Sequence, residues 1–186
     1  MSVFPKPYAD LVARLRVASG FVLVLAFAWF SAPDWRSLAI GFPVSLVGLL
    51  LRGWATGHLE KNIRLAESGP YAYVRNPLYL GTLLVAAGLA IASRTWLLAA
   101  LFAAVFVLIY LPVIELEEQH LSKLFPNFRA YSKRVRSLAP TLRPIKSDTR
   151  FQWSRYIRNQ EYQALLGFLA GEAFLIAKVF FFRTIP

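Results

Sequence analysis

Two short clusters hold the residues with chemistry to offer. The first is Gly69-Pro70-Tyr71-Ala72-Tyr73-Val74-Arg75-Asn76-Pro77-Leu78-Tyr79-Leu80-Gly81, which is polar, aromatic and rich in turn formers. The second is acidic: Glu115, Glu117 and Glu118, with His120 close behind. Arg75 offers a forked guanidinium to a carboxylate. Pro77 can open a helix at its first turn, and Asn76 then stands where a cap belongs. The amides at such a helix start attract an anion. Glu115 and Glu118 share a helix face, whereas Glu117 points elsewhere, near His120. Carboxylates beside a membrane span are costly unless solvated or paired, so the cluster suits a cation. That cation could be an ammonium, a sulfonium or a metal. With His58 and His120 as the only histidines, no cysteine and no known ligand spacing, a metal site is not expected.

The same residues have plainer uses. Tyr71, Tyr73 and Tyr79 would suit an aromatic belt at the bilayer surface, with Arg75 as a positive-inside anchor. The acids could pair with Lys123, Arg129 or Arg134. His58 reads as a polar interfacial residue rather than a catalytic base.

The elements that must position these clusters are apolar. The chain has 186 residues, 57% hydrophobic, with a net charge of +11. That length fits one domain, residues 1–186, with the motifs in a core at 69–140. The apolar residues fall in long blocks, so lipid is the expected solvent. Beside such blocks the positive charge bears on orientation and anionic lipid, not on nucleic acid. The expected fold class is all-α: an integral membrane helical bundle of about five transmembrane helices. The spans run from about Val17 to Ala32, Leu38 to Leu51, Leu78 to Ala92, Trp96 to Ile114 and Tyr162 to Phe182. The first lengthens if its helix starts near Leu11, and the second if it runs from Ser37 to Thr56. The third and fourth form a hairpin turned at Ser93-Arg94, spanning or re-entrant. The fifth carries Glu172 and Lys178 and is the least regular. Segments 1–16, 52–77 and 115–161 hold 17 of the 21 Lys and Arg. That bias predicts a cytoplasmic N-terminus and puts both clusters on the cytoplasmic side. No cleaved signal peptide is expected. Pro112 should kink the fourth helix before the acids, Pro126 should end it, and Phe128 to Leu138 should form an amphipathic helix. Nucleotide-binding glycine motifs and the common hydrolase signatures are missing.

Together the clusters resemble a family signature. Gly69-Pro70-Tyr71, Arg75-Asn76-Pro77, Tyr79 and Gly81 resemble the "GPY–RHPxYxG" element of the isoprenylcysteine carboxyl methyltransferases and their phospholipid methyltransferase relatives. Glu117-Glu118-Gln119-His120-Leu121 resembles their "EExxL" element, followed by Phe125, Phe128, Tyr131, Val135 and Pro140. The resemblance covers about residues 69–140. It implies a membrane-embedded methyltransferase that takes its methyl group from S-adenosylmethionine. The acceptor would be lipophilic and enter from the bilayer, carrying either a carboxylate or an amine. Tyr73, Val74, Arg75, Asn76, Pro77, Tyr79, Leu80, Gly81, Glu117 and Glu118 would then form the cofactor site. Arg75, Glu118 and Arg134 would take the catalytic roles. Glu117 or Glu118 would face the cofactor's cationic end or order the neighbouring arginines. Two positions depart from the signature. Asn76 replaces the usual His, keeping hydrogen bonding but not titration, and Phe125-Pro126-Asn127-Phe128 replaces "FGxxY". Two other readings fit the composition: an NADPH-dependent membrane reductase of the sterol reductase type, and a non-catalytic protein that binds anionic lipid through its basic 123–158 stretch.

Overall fold

The structure, a computed structural model, describes residues 4–145 and 149–183. Among these residues every regular element is helical. Five helical rods run back and forth between two ends: α1 (Lys6–Phe30), α2 (Trp35–Thr56), α3 (Pro77–Ser93), the continuous rod Trp96–Leu124, and α8 (Tyr162–Arg183). The fourth rod comprises α4 (Trp96–Val105), a π turn (Phe106–Tyr110) and α5 (Leu111–Leu124). Short helices α6 (Phe128–Arg134) and α7 (Trp153–Arg158) sit at the motif end. Among the described residues, three helices are long and apolar enough to cross a bilayer: Trp35–Thr56, Trp96–Leu124 and Tyr162–Phe181. Ala18–Phe30 and Pro77–Ser93 are shorter apolar stretches, so spanning length holds for three of the five expected spans.

The central hairpin is α2 against α3. Gly48 and Gly81 let the two backbones close up, since a Cβ on Gly48 would lie 2.6 Å from the Gly81 carbonyl oxygen. Small residues drive such contacts in lipid, where apolar burial alone gives no preference for protein over solvent. Side-chain bonds lace the same seam: Ser37 Oγ donates to Ala92 O and Ser45 Oγ to Val85 O. Asp34 starts α2 through a capping box with Ser37, in which each side chain accepts from the other's amide. At the far end from the motifs the chain turns on Arg94, a left-handed residue at φ 56°. There Phe27, Leu38, Ala92, Leu98, Leu175 and Val179 form a buried cluster.

Two irregularities follow from specific residues. Pro112 has no amide to donate, so a regular helix would leave the Leu108 carbonyl unserved. Tyr8 Oη donates to that carbonyl at 2.6 Å, and the π turn precedes the proline. Lys178, which made the last span look least regular, caps another helix. Its ammonium donates to Ala28 O, Ser31 O and Ser31 Oγ at 2.6–3.1 Å. The charge thus serves the exposed carbonyls at the negative end of α1.

Candidate functional site

The two motifs meet at the end of the bundle opposite Arg94. Gly69–Ala72 forms one 3-10 turn, and Pro77 then opens α3. Gly69 has φ +57°, and a Cβ there would strike the His58 ring. Glycine is therefore required at that position both by its conformation and by space. The chain between the turn and α3 lies against the segment after α6. Arg75 N donates to Arg136 O, Asn76 N to Ser137 O and Thr141 N to Tyr73 O, at 2.8–3.0 Å. This pairing holds residues 136–141 along the motif, and α6 ends at Arg134, short of the Leu138 expected from pattern.

At the centre is Glu118. Arg75 grips it with both arms of its fork, Nε to Oε1 at 3.1 Å and Nη2 to Oε2 at 2.8 Å. Arg75 Nη1 reaches on to the carbonyls of Ser132 and Val135. Asn76 Nδ2 donates to Glu118 Oε1 at 2.7 Å and to Ser137 Oγ at 2.9 Å, and Ser137 Oγ donates to the same carboxylate oxygen. Asn76 therefore occupies the cap position of α3 without a capping side-chain bond. Its Nδ2 is turned to Glu118, and no side-chain oxygen caps the helix. The pairing of the acids with Lys123, Arg129 or Arg134 gives way to Arg75 for Glu118. Asn76 and Val74 are buried, and the pair is 14% and 21% exposed. Such a fork is both directional and strong.

Glu117 lies on the neighbouring face, exposed, and accepts a 2.8 Å bond from Tyr79 Oη. The Tyr79 ring meets the Tyr110 ring edge-on at 6.0 Å, and Tyr110 stacks on Phe106 at 5.9 Å. These two rings project from the π turn, a feature frequent at functional sites. Chain residues before α1 also reach this corner, where Phe4 N donates to Glu115 Oε2.

The structure thus gathers Arg75, Asn76, Tyr79, Glu117 and Glu118. Val74, Pro77 and Gly81 are buried in packing, Leu80 is half-buried and Tyr73 is exposed. Gly81 sits under Arg52, whose Cγ would lie 2.5 Å from a Cβ there. Arg134 is exposed in the last turn of α6, and none of the bonds around Glu118 involves it. Sequence reasoning passed over Ser137, Tyr110 and Phe106, since a lone serine and two aromatic residues of an apolar span carry no distinguishing spacing.

His58 is also placed differently from its expected interfacial position. It is 5% exposed, with Nδ1 2.9 Å from Ser68 Oγ. Burial, with Arg155 and Arg64 adding to it, lowers its pKa below the ordinary histidine value. Burial likewise raises the pKa of the phenols of Tyr71 and Tyr131 above the usual tyrosine range. Tyr131 Oη donates to Tyr71 O and ties α6 to the 3-10 turn. Beneath it, Phe128, Tyr131 and Val135 form the site's own small core.

Helices of this length and apolarity, with a polar network at one end, define a helical membrane protein. The profile described as "Phospholipid methyltransferase" matches residues 44–127, which contain the Arg75–Glu118 pair. The chain belongs to the phospholipid methyltransferase family, and so to a class of membrane methyltransferases. It is 31% identical over 160 residues to the nickel-cobalt-cadmium resistance protein NccN of Alcaligenes xylosoxydans xylosoxydans, covering 79% of this chain and 75% of that relative. It is 34% identical over 105 residues to the cobalt-zinc-cadmium resistance protein CzcN of Cupriavidus metallidurans, covering 55% of this chain and 47% of that one. No solved structure matches the chain significantly.

Proposed function

We propose that the protein transfers a methyl group from S-adenosylmethionine to a lipophilic acceptor, at the motif end of the bundle. The observation that carries this reading is the Glu117–Tyr79 pair beside the rings of Tyr110 and Phe106. A carboxylate, a phenol and two π systems suit a positive group. When bound, S-adenosylmethionine supplies an activated methyl on a sulfonium, and the acceptor's lone pair takes that methyl as the C–S bond breaks. Glu117 and Tyr79 would hold the cationic end. The start of α3 suits its carboxylate, because the positive end of a helix attracts an anion. Arg75 spends its fork on Glu118 and its third nitrogen on two carbonyls, which favours a positioning role over direct ligand contact. Glu118 would then order the arginine, one of the two roles the family resemblance implies.

An acceptor carboxylate needs no base but does need a cation to orient it, and Arg134 and Arg136 are exposed nearby. An acceptor amine must lose a proton, for which Glu117 and His120 are exposed. In this reading all five rods span the membrane, with the N-terminus and the site on the cytoplasmic side. The chain has no cysteine, so single introduced cysteines at the exposed Lys61 and at Thr95 would report sidedness. The two relatives are named for resistance to nickel, cobalt, cadmium and zinc. We place this methylation in the same setting, as a change made to a membrane component and not as metal binding.

The test is S-adenosylmethionine binding to the purified protein, followed by transfer of labelled methyl to total membrane lipid. Saturable binding that Glu117→Gln weakens and Arg134→Ala leaves alone supports the cofactor placement; equal effects on both would overturn it. Base-labile label means an ester, and base-stable label an N-methyl product. Thermal stabilisation by NADPH instead would promote the reductase reading.

A further inference from the structure

A second arginine–glutamate fork borders a cavity that the methyl-transfer reading does not use. Arg52 Nε and Nη2 hold the two oxygens of Glu161 at 2.6 and 3.1 Å, while Nη1 donates to Thr82 Oγ1 and to Leu78 O. Leu78 and Thr82 are in the first turns of α3, so this fork touches the same helix start as the motif. On its other side Glu161 lines a slot of about 370 Å³ between α2, α7 and α8. The wall is apolar: Leu46, Leu49, Leu50 and Trp54 from α2, and Leu165 from α8. Leu46 to Trp54 covers roughly 12 Å of helix axis. Phe151, Trp153 and Tyr156 roof the end nearest the motif, their rings edge to face at 5.1 and 5.7 Å. The roof is pinned to the end of α2, since Gln152 N donates to Gly57 O, and Asn159 Nδ2 donates to Thr56 O and Leu59 O. Gly53 forms the floor, where a Cβ would find only Tyr156, at 3.6 Å. Leu50 and Trp153 are 64% and 71% exposed, so the slot opens sideways towards lipid.

The geometry points to a single hydrocarbon chain as the occupant: the tail of a one-tailed amphiphile, which resting on the methyltransferase reading is the acceptor. Three features argue for this. The slot is a track along one helix, and Glu161, its one charged lining residue among those described, is already neutralised by Arg52. Its volume holds roughly a dozen water-sized groups, enough for one chain of about twelve carbons and too little for two longer ones. Its charged end adjoins α3 through Arg52, so a tail lodged here puts its head at the side of the bundle that carries the motifs. The α2 wall and the Gly53 floor lie within residues 44–127 and the roof and Glu161 beyond them, so the slot is built jointly by the shared family segment and this chain's C-terminal part.

The experiment uses the full chain in nanodiscs of diacyl phosphatidylcholine, without cofactor. The probes are alkyl amphiphiles of about twelve carbons with a terminal diazirine, one amine-headed and one carboxylate-headed. Photolabelling is mapped by peptide. The expected result is saturable labelling of 46–54 and 151–165, competed by unlabelled single-chain amphiphile and not by added diacyl lipid. Which head competes better names the acceptor class. Gly53→Leu fills the floor and displaces two or more methylenes, so labelling should fall about tenfold or more. S-adenosylmethionine binding by that variant should stay unchanged. Labelling spread evenly over the helices, or equal competition by diacyl lipid, overturns the inference without need of the variant. Failure of the wild type to bind S-adenosylmethionine while still labelling the slot would sink the methyltransferase reading alone.

Discussion

Arg75 and Arg52 are held in the same way and stand in different surroundings. Each gives Nε and Nη2 to one glutamate and Nη1 to two further oxygen acceptors. Glu118, the partner of Arg75, also takes bonds from Asn76 and Ser137, so three neighbouring side chains converge on its carboxylate. Glu161, the partner of Arg52, turns its other flank to an apolar slot. The first fork closes a polar knot that shapes two loops. The second props open a space. The same pair of residue types thus serves as a clasp in one place and a gatepost in the other. What decides between them is whether the glutamate's remaining lone pairs are filled by neighbouring side chains.

Cofactor affinity is the measure that should separate the two forks most widely. Removing Arg75 leaves Glu118 half-satisfied and frees two carbonyls. A pair 14% and 21% exposed lies between surface and buried cases, so the loss is about 2–3 kcal/mol. With that loss falling on the arrangement of the site, Arg75→Ala weakens S-adenosylmethionine roughly 30- to 150-fold. Arg75→Lys does not restore it, because an ammonium cannot fork. Titration calorimetry checks both, and near-normal affinity in either would make the knot ornamental. Tyr79→Phe deletes one hydrogen bond to Glu117, worth about 1 kcal/mol, and should cost about fivefold. Arg52→Ala should change affinity by less than about twofold while lowering the midpoint of thermal unfolding by about 4–10 °C, because it strands a buried carboxylate. A large affinity loss there would erase the distinction between the two forks.

The contrast also shows what the sequence makes legible. The rods could be read from hydropathy because lipid permits no unsatisfied backbone, and α2, α3 and α8 lie close to the expected spans. Arg75, Asn76 and the glutamates stood out because polar residues at fixed spacing beside apolar runs need a reason. That Glu118 and not Glu117 takes Arg75 was not legible. It depends on helix phase across the π turn that precedes Pro112, a feature with no sequence signature of its own. The Arg52–Glu161 fork was invisible because its partners lie 109 residues apart and neither belongs to a motif. Gly81 read as a cofactor residue, whereas its visible contacts are with Arg52 and Gly48, because a missing side chain looks alike whether a ligand or a neighbouring helix fills the room.

The smallest effect should come from His58, which touches both regions. Its ring lies under Gly69 of the motif and meets Phe151 of the slot roof edge-on at 6.3 Å. Burial keeps it neutral in the folded protein, with Arg155 and Arg64 opposing a second positive charge. In the unfolded chain it takes a proton near the ordinary value of about 6.5. Above that pH both states are neutral and nothing is gained or lost. Below it the unfolded state binds a proton that the folded state refuses, so stability declines as pH falls from about 6.5 towards the lowered folded value. Thermal unfolding followed from pH 7.5 to 5.5 should show this decline, and His58→Gln should flatten it while leaving cofactor affinity at pH 7.5 unaltered. If His58 were instead exposed at the membrane surface, the two profiles would run parallel. If the decline persisted in the variant, the buried histidine would not be the joint between clasp and gatepost.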